Sequence, residues 1–235
     1  MWNGYCSEEF LFEEHPAIVV FPKQANGSLA VKTEYWDAFP AAIELPLLEQ
    51  GYHLCFIRND NRWGTDPDLD RKARFVRFVQ EKYGLTGTCV PVGMSCGGLI
   101  AAKFAAKYPE CIGGLYLDAP VLNLLSCPCG VGAAKDILYE EFVKAMGLTV
   151  SDLINYRQHP IDFADMLIQE HIPVALICGD SDCIVPYAEN GQVLAEKYRS
   201  STVPFFEVLK PGCDHHPHGL EDNAPLINFV ERYGR

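Results

Sequence analysis

The chain has 235 residues, of which 49% are apolar and 21% are charged, and its formal net charge is −12. This composition is typical of a soluble globular protein, and the length suits a single α/β domain over residues 1–235. An acidic surface repels phosphate backbones and anionic lipid, so we expect neither a nucleic-acid nor a membrane partner.

Six short apolar runs alternate along the chain with longer segments of helical pattern. The runs are rich in Val, Ile and Leu and show little alternation, which is typical of strands buried on both faces. Strands that alternate with helices predict an α/β fold with a doubly wound, mostly parallel sheet. The predicted strands are 17–21, 53–57, 89–92, 113–117, 174–178 and 204–209, and the predicted helices are 35–50, 68–83, 96–108, 188–199 and 224–233.

An insertion interrupts this alternation between Leu117 and Val174. Its roughly 55 residues far exceed the dozen or so that a simple crossover needs. The first part, 122–132, is rich in Ser, Cys, Pro and Gly, which predicts an irregular loop, and short helices are predicted at about 135–146, 151–158 and 161–170. We interpret segment 122–170 as a small helical cap over the carboxyl edge of the sheet.

Ten cysteines are present, and several lie inside apolar runs, among them Cys55, Cys89 and Cys178. Such positions predict buried free thiols in a reducing cytoplasm. The first ten residues also lack the basic and apolar segments of a signal peptide, which favours a cytoplasmic protein. Cys127 and Cys129 form a close pair, but no second pair completes a zinc site, so we expect no metal and no cofactor.

The most informative motif is Gly93-Met94-Ser95-Cys96-Gly97. It follows a predicted strand and opens a predicted helix, which is the context of a Gly-x-Ser-x-Gly nucleophile elbow. In such a turn the serine adopts strained backbone angles that lift its hydroxyl above the sheet, and the amide of Cys96 is placed to hold an oxyanion. A glycine-rich turn that binds phosphate has the same short pattern, so it is the strand–helix context that favours a nucleophile.

A serine hydroxyl is a weak nucleophile and needs a base. On a sheet of this type the acid and then the histidine follow the serine in the chain. Asp180 and Asp182 both follow the strand at 174–178, at the edge where open α/β sheets bind ligands. Either aspartate could instead cap a turn, but the Val-Pro sequence three residues after Asp182 favours Asp182 as the acid.

Three histidines, His215, His216 and His218, follow the last predicted strand. The Gly-x-x-His pattern that begins at Gly212 favours His215 as the base, while His216 or His218 is the alternative and could otherwise line the pocket. The intervening proline and the lack of helical spacing argue against a metal site there.

These features together resemble the alpha/beta-hydrolase superfamily over nearly the whole chain, and more narrowly a bacterial esterase-like group within it. The end of the chain is similar to prolyl-oligopeptidase-like hydrolase domains. The residues that carry this narrower resemblance are Trp36, Asp118-Ala-Pro-Val121, Gly179-Asp-Ser-Asp182, Val185-Pro186, Glu189-Asn190 and Pro211-Gly-Cys-Asp-His-His-Pro-His-Gly-Leu220.

The resemblance implies a Ser95–His215–Asp182 triad that cleaves small carboxylic esters through an acyl-enzyme, without a cofactor. A peptidase or amidase that acts on small peptides is the alternative enzyme, and a non-catalytic binding protein on the same scaffold is the alternative from another class. The second oxyanion donor is expected in the loop after the first predicted strand, at Lys23 or Gln24. Residues at the ends of strands, and one of the histidines, are candidate substrate-binding residues: Asp60, Trp63, Asp118 and His216.

Overall fold

The computed structural model describes residues 1–85, 87–135 and 137–234. Eight strands in these residues form one sheet. The strands are β1 (Cys6–Phe12), β2 (His15–Phe21), β3 (Leu29–Lys32), β4 (His53–Ile57), β5 (Cys89–Met94), β6 (Leu115–Asp118), β7 (Val174–Gly179) and β8 (Phe205–Lys210).

The sheet has the strand order β1-β2-β4-β3-β5-β6-β7-β8. β1 pairs antiparallel with β2, and β2 pairs antiparallel with β4. The six strands from β4 to β8 along this order are all parallel. Their carboxyl ends therefore meet at one edge of the sheet, whereas the carboxyl end of β2 lies at the opposite edge.

Helices cover both faces of the sheet, as a doubly wound fold requires. Two helices, α2 (Asp66–Tyr83) and α3 (Cys96–Lys107), contribute Phe75 and Ile100 to the core on one face. Two others, α1 (Glu44–Glu49) and α8 (Ala224–Tyr233), contribute Leu47 and Leu226 to the core on the other. No helix of the described residues is long and apolar enough to cross a bilayer. The helices are α1 (Glu44–Glu49), α2 (Asp66–Tyr83), α3 (Cys96–Lys107), α4 (Tyr139–Met146), α5 (Val150–Leu153), α6 (Ala164–Gln169), α7 (Gly191–Arg199) and α8 (Ala224–Tyr233).

The predicted α/β class and mostly parallel sheet are confirmed, and all six predicted strands are present within two residues at either end. Two strands were not predicted. β1 is an edge strand that mixes polar and apolar residues, and its Phe10 and Phe12 rings pack against Phe75 and Phe78 of α2. β3 has only four residues, which is too short for a clear pattern, although all four are buried.

Several predicted helices are shorter in the structure. The helix predicted at 35–50 is wrong over 35–43, because Tyr35 and Phe39 have positive φ values of 55° and 51° and only 44–49 is helical. In the insertion, the helix predicted at 135–146 begins at Tyr139, and its Asp136 lies outside the described residues. The helix predicted at 151–158 ends at Leu153, and the one predicted at 161–170 begins as a 3₁₀ turn before α6.

A buried ion pair holds the irregular segment 33–43 against the sheet. Lys32, at the end of β3, donates a hydrogen bond to Glu44, at the start of α1, and the two side chains are 0% and 1% exposed. The Lys32 ammonium also donates to the Ala38 carbonyl at 3.3 Å and lies 3.8 Å from the Met94 sulfur. One ammonium therefore connects β3, the irregular segment, α1 and β5.

We predict that Lys32→Met lowers the free energy of unfolding by about 3–5 kcal/mol, because it leaves the Glu44 carboxylate buried without its cation. The double variant Lys32→Met/Glu44→Leu should recover most of this loss, because neither charge then remains. Urea unfolding followed by circular dichroism measures both values. As a control, Arg74→Met removes the exposed Arg74–Glu13 pair and should change stability far less. A double variant as unstable as Lys32→Met would contradict this account.

Candidate active site

Ser95 lies in a strained turn between β5 and α3. Its φ and ψ angles are 54° and −123°, which non-glycine residues rarely adopt. The turn is tight enough that a Cβ atom on Gly93 would lie 2.4 Å from the Gly97 carbonyl oxygen, and one on Gly98 would lie 2.5 Å from the Pro120 side chain. Glycine is therefore required at 93 and 98 for β5 and α3 to approach each other and the loop after β6.

Three side chains from separate loops form a hydrogen-bonded series at the carboxyl edge of the sheet. His215 Nε2 lies 3.1 Å from Ser95 Oγ, and His215 Nδ1 lies 2.7 Å from Asp182 Oδ2. The other carboxylate oxygen of Asp182 accepts from the amides of Ile184 and Val185, each at 2.8 Å. Because an ionised carboxylate only accepts, Nδ1 of His215 donates to it and Nε2 is left to accept from the serine hydroxyl.

Asp180, the alternative acid, has a different environment. Its side chain is exposed and accepts from the Gly212 amide at 2.7 Å and from the Ser181 hydroxyl at 2.8 Å. Asp214 acts similarly, since its carboxylate accepts from the amides of Cys183 and His215. Both residues join the loop after β7 to the loop after β8.

Asp118, a candidate substrate-binding residue in the sequence, is instead enclosed by hydrogen bonds. Its carboxylate lies 3.0 Å from His218 Nδ1 and accepts from the Gly219 amide at 2.6 Å and from the Tyr116 hydroxyl at 2.9 Å. Burial alone would raise the pKa of Asp118, but the bonds from His218 and Gly219 outweigh it and hold the pKa below its usual value. Asp118 is not among the residues that line the cavity at Ser95, and its bonds to His218 and Gly219 anchor the histidine loop to β6; its role in substrate binding stays a prediction.

A cavity of about 210 Å³ opens in front of Ser95. His216 lies in its wall, as the sequence suggested, and its ring stacks on Phe39 with centroids 5.3 Å apart. Burial and the nearby His218 and His215 lower the pKa of His216. The cavity is lined by Tyr35, Ala38, Phe39, Met94, Ser95, His215, His216 and His218.

The segment after β3 was not identified from the sequence, although it forms one wall of this cavity. Lys23 and Gln24, expected to supply an oxyanion donor, follow β2, which runs antiparallel to β4. They lie at the opposite edge: the Gln24 carbonyl oxygen is 2.4 Å from where a Cβ atom of Gly51, just before β4, would be. The expectation is wrong because β3, not β2, is the first parallel strand. Tyr35 occupies the corresponding position after β3.

Asp60 and Trp63, the other candidate substrate-binding residues, are also not among the residues that line the cavity at Ser95. The Asp60 carboxylate, 58% exposed, pairs with His15 and Arg71. Trp63 is 1% exposed and packs edge-on against Phe142 of α4, with ring centroids 5.1 Å apart. Neither side chain lies at Ser95, because the loop after β4 turns towards α2 and α4, and their roles in substrate binding stay predictions.

Cys96 follows Ser95 and begins α3, so no preceding helical turn can accept a hydrogen bond from its amide. That amide lies at the positive end of α3, as an oxyanion donor must. Its thiol is fully buried, and burial raises the pKa of the thiol to about 11. Cys96 is therefore a neutral thiol at pH 7 and a weak nucleophile.

Several solved structures resemble this chain. An acylaminoacyl peptidase from Pyrococcus horikoshii is 13% identical with a TM-score of 0.77, over 99% of this chain and 42% of that one. An esterase from Pyrococcus furiosus is 14% identical with a TM-score of 0.65, over 97% and 92% of the two chains. An alpha/beta hydrolase from the metagenome of sediments of the Mar Chica lagoon, Morocco, is 15% identical with a TM-score of 0.58, over 96% and 98%.

Together with the parallel sheet and the elbow at Ser95, these similarities show that the chain has the alpha/beta-hydrolase fold. No protein-family model matches the chain. The chain spans less than half the length of the peptidase chains that it resembles, 42% for the Pyrococcus horikoshii peptidase and 36% for a dipeptidyl aminopeptidase IV-like protein of Bacteroides ovatus.

We predict that Asp182→Asn slows the reaction of Ser95 with a fluorophosphonate probe by roughly 10⁴-fold, because the tautomer of His215 is no longer controlled. The matched control is Asp180→Asn, two residues away, which should label at close to the wild-type rate. Labelling rates followed by mass spectrometry compare the variants. If Asp180→Asn is the slow variant and Asp182→Asn is normal, the acid is Asp180.

Proposed function

We propose that this chain is a serine hydrolase that cleaves small carboxylic esters. The observation that carries the proposal is the hydrogen-bonded series Ser95–His215–Asp182 at the head of a strained strand–helix turn. A serine held at positive φ, with its hydroxyl on a carboxylate-bound imidazole, is typical of nucleophilic catalysis and has no evident structural purpose.

The reaction proceeds in two acyl-transfer steps. Ser95 Oγ attacks the ester carbonyl carbon while His215 Nε2 takes the hydroxyl proton, and Asp182 stabilises the resulting imidazolium. The amide of Cys96 holds the negative charge that develops on the carbonyl oxygen. Collapse releases the alcohol, which takes the proton from His215. Water, deprotonated by His215, then attacks the acyl-enzyme and releases the carboxylic acid and Ser95.

The size of the cavity supports a small acyl group. About 210 Å³ is below the roughly 300–1,000 Å³ of typical small-molecule pockets. The aromatic side chains of Tyr35 and Phe39 give it an apolar wall suited to a short acyl or aryl group. A peptidase that acts on small peptides is the second candidate, because the reaction chemistry is the same and the similar structures include acylaminoacyl peptidases with TM-scores of 0.77 and 0.74.

The main test compares wild-type protein with Ser95→Ala on p-nitrophenyl esters of increasing acyl length and on aminoacyl p-nitroanilides. We expect wild type to prefer the shortest esters. In Ser95→Ala the rate of hydrolysis should fall by a factor on the order of 10⁴–10⁶. Faster cleavage of the anilides would favour a peptidase. Ester hydrolysis that survives in Ser95→Ala above about a tenth of the wild-type rate would exclude Ser95 as nucleophile.

The second oxyanion donor in this proposal comes from the segment after β3, at Tyr35. Tyr35 lines the cavity beside Ser95, and its positive φ of 55° marks strained backbone of the kind often found at functional sites. Its hydroxyl accepts from Arg62 at 3.3 Å and also hydrogen-bonds the buried Cys96 thiol, a weak partner that it must give up to donate to an oxyanion.

We predict that Tyr35→Phe lowers kcat for the best ester by about 10²–10³, the usual cost of losing one oxyanion donor, with a much smaller change in KM. The matched control is Phe39→Leu, which alters the same cavity wall without removing a hydrogen-bond donor and should act mainly on KM. Steady-state kinetics measure both. An unchanged kcat in Tyr35→Phe would remove the hydroxyl from the oxyanion hole.

A further inference from the structure

The loop after β8 brings three imidazoles together although the sequence gives them no helical spacing. The ring centroids of His215, His216 and His218 are 4.9–5.2 Å apart in pairs. One ring nitrogen from each histidine lies within 4.8 Å of the other two. All three residues line the cavity in front of Ser95, so the cluster is open to small solutes.

Two of these imidazoles are oriented by buried carboxylates. Asp182 holds Nδ1 of His215 at 2.7 Å, and Asp118 holds Nδ1 of His218 at 3.0 Å, with both carboxylates only 1% exposed. In each ring the Nε2 lone pair is consequently the one left for another partner. A carboxylate on the far nitrogen is the arrangement that orients metal-binding histidines and raises their basicity.

His216 has no such carboxylate, and its ring position is set by the stack on Phe39. Its side chain is exposed, so the ring can turn towards the other two at little cost. Three imidazole nitrogens around a tetrahedral Zn²⁺ lie roughly 3.3 Å apart, at metal distances of about 2.0–2.1 Å. To bind one ion, the distances between these ring nitrogens must therefore shorten by at most about 1.5 Å.

From this geometry we infer that His215, His216 and His218 form a binding site for a borderline transition-metal ion such as Zn²⁺, with water in the fourth position. Neutral imidazoles suit Zn²⁺, Cu²⁺ and Ni²⁺, whereas Mg²⁺ and Ca²⁺ prefer oxygen ligands. The net charge of −12 attracts cations to the chain.

Metal binding and ester hydrolysis exclude each other in this site, a consequence that rests on the proposed function. The metal occupies the Nε2 lone pair of His215 that otherwise accepts the proton of Ser95. The ion is thus a reversible inhibitor, and the enzyme is active without it. Chelators should leave the activity of metal-free protein unchanged and restore the activity of zinc-treated protein.

The test measures metal binding directly on the full chain, freed of metal with EDTA and dialysed. ZnCl₂ is titrated by calorimetry, and CoCl₂ is followed by its visible absorption, which is strong only in tetrahedral sites. We expect one ion per chain, with tetrahedral cobalt bands. His216→Ala and His218→Ala should each weaken binding at least about tenfold, and Asp118→Asn about 10–100-fold.

His171→Asn is the matched control, because His171 is exposed, lies outside the cluster and has a positive φ that asparagine tolerates. It should leave the zinc Kd unchanged. His216→Ala keeps the test decisive if His218→Ala does not fold, since His216 makes no buried hydrogen bond.

Three results would overturn the inference: unchanged zinc affinity in His216→Ala, equal weakening in His171→Asn, or thiolate-to-cobalt bands in the near ultraviolet, which would place the ion on cysteines.

Zinc inhibition of ester hydrolysis is measured separately, relative to each variant's own metal-free rate. If no Ser95-dependent hydrolysis exists, the proposed function fails while the binding result stands. If hydrolysis depends on Ser95 but zinc does not bind, the metal site alone fails.

Discussion

The geometry at Ser95 depends on Asp118, which holds both the nucleophile turn and the histidine loop. Its backbone carbonyl accepts from the Ser95 amide at 2.9 Å, and its carboxylate accepts from the Gly219 amide and bonds His218. Asp118 ends β6, the strand next to β5 in the sheet. Ser95 and His215 are 120 residues apart in sequence, and Asp118 supports the loops of both. The hydrogen bond to β6 helps to hold Ser95 in its strained backbone conformation, because the surrounding structure offsets the strain energy.

The features that were predicted correctly are those with a local pattern. Apolar runs without alternation identified the buried parallel strands, and the glycines around Ser95 identified the turn between β5 and α3. The Val-Pro sequence after Asp182 and the Gly-x-x-His pattern pointed to two residues that the structure brings beside Ser95. Their catalytic roles remain predictions.

The errors arose where a partner is distant in sequence or an element is short. β3 has four residues, and without it β2 was taken as the first parallel strand, which misplaced the oxyanion donor at Lys23 and Gln24. Asp118 and His218 are 100 residues apart, so no local pattern could indicate that this aspartate is already satisfied by hydrogen bonds. Trp63 follows a strand, as pocket residues often do, but its direction is set by Phe142 in an insertion without a clear pattern.

The insertion at 122–170, interpreted from the sequence as a cap, supplies none of the residues that line the cavity at Ser95 in the described chain. Those residues come from the segment after β3, the elbow and the histidine loop. α4 instead packs on the loop after β4, through Phe142 on Trp63 and Glu141 on Arg62 at 2.9 Å. Segment 33–43, held by Lys32 and Glu44, is therefore the part of the fold whose variation would alter the pocket most directly.

The thiol beside Ser95 gives the site a chemical selectivity of its own. Ser95 and Cys96 are adjacent in sequence, but the cysteine is kept protonated by burial while the serine lies on an imidazole. Soft electrophiles such as iodoacetamide or maleimides react with thiolates, and they find none at this position at neutral pH. Hard phosphorus electrophiles are expected to react with the hydroxyl of Ser95, the proposed nucleophile. In a chain with ten cysteines, a phosphonate tag should therefore mark Ser95 without prior protection of the thiols.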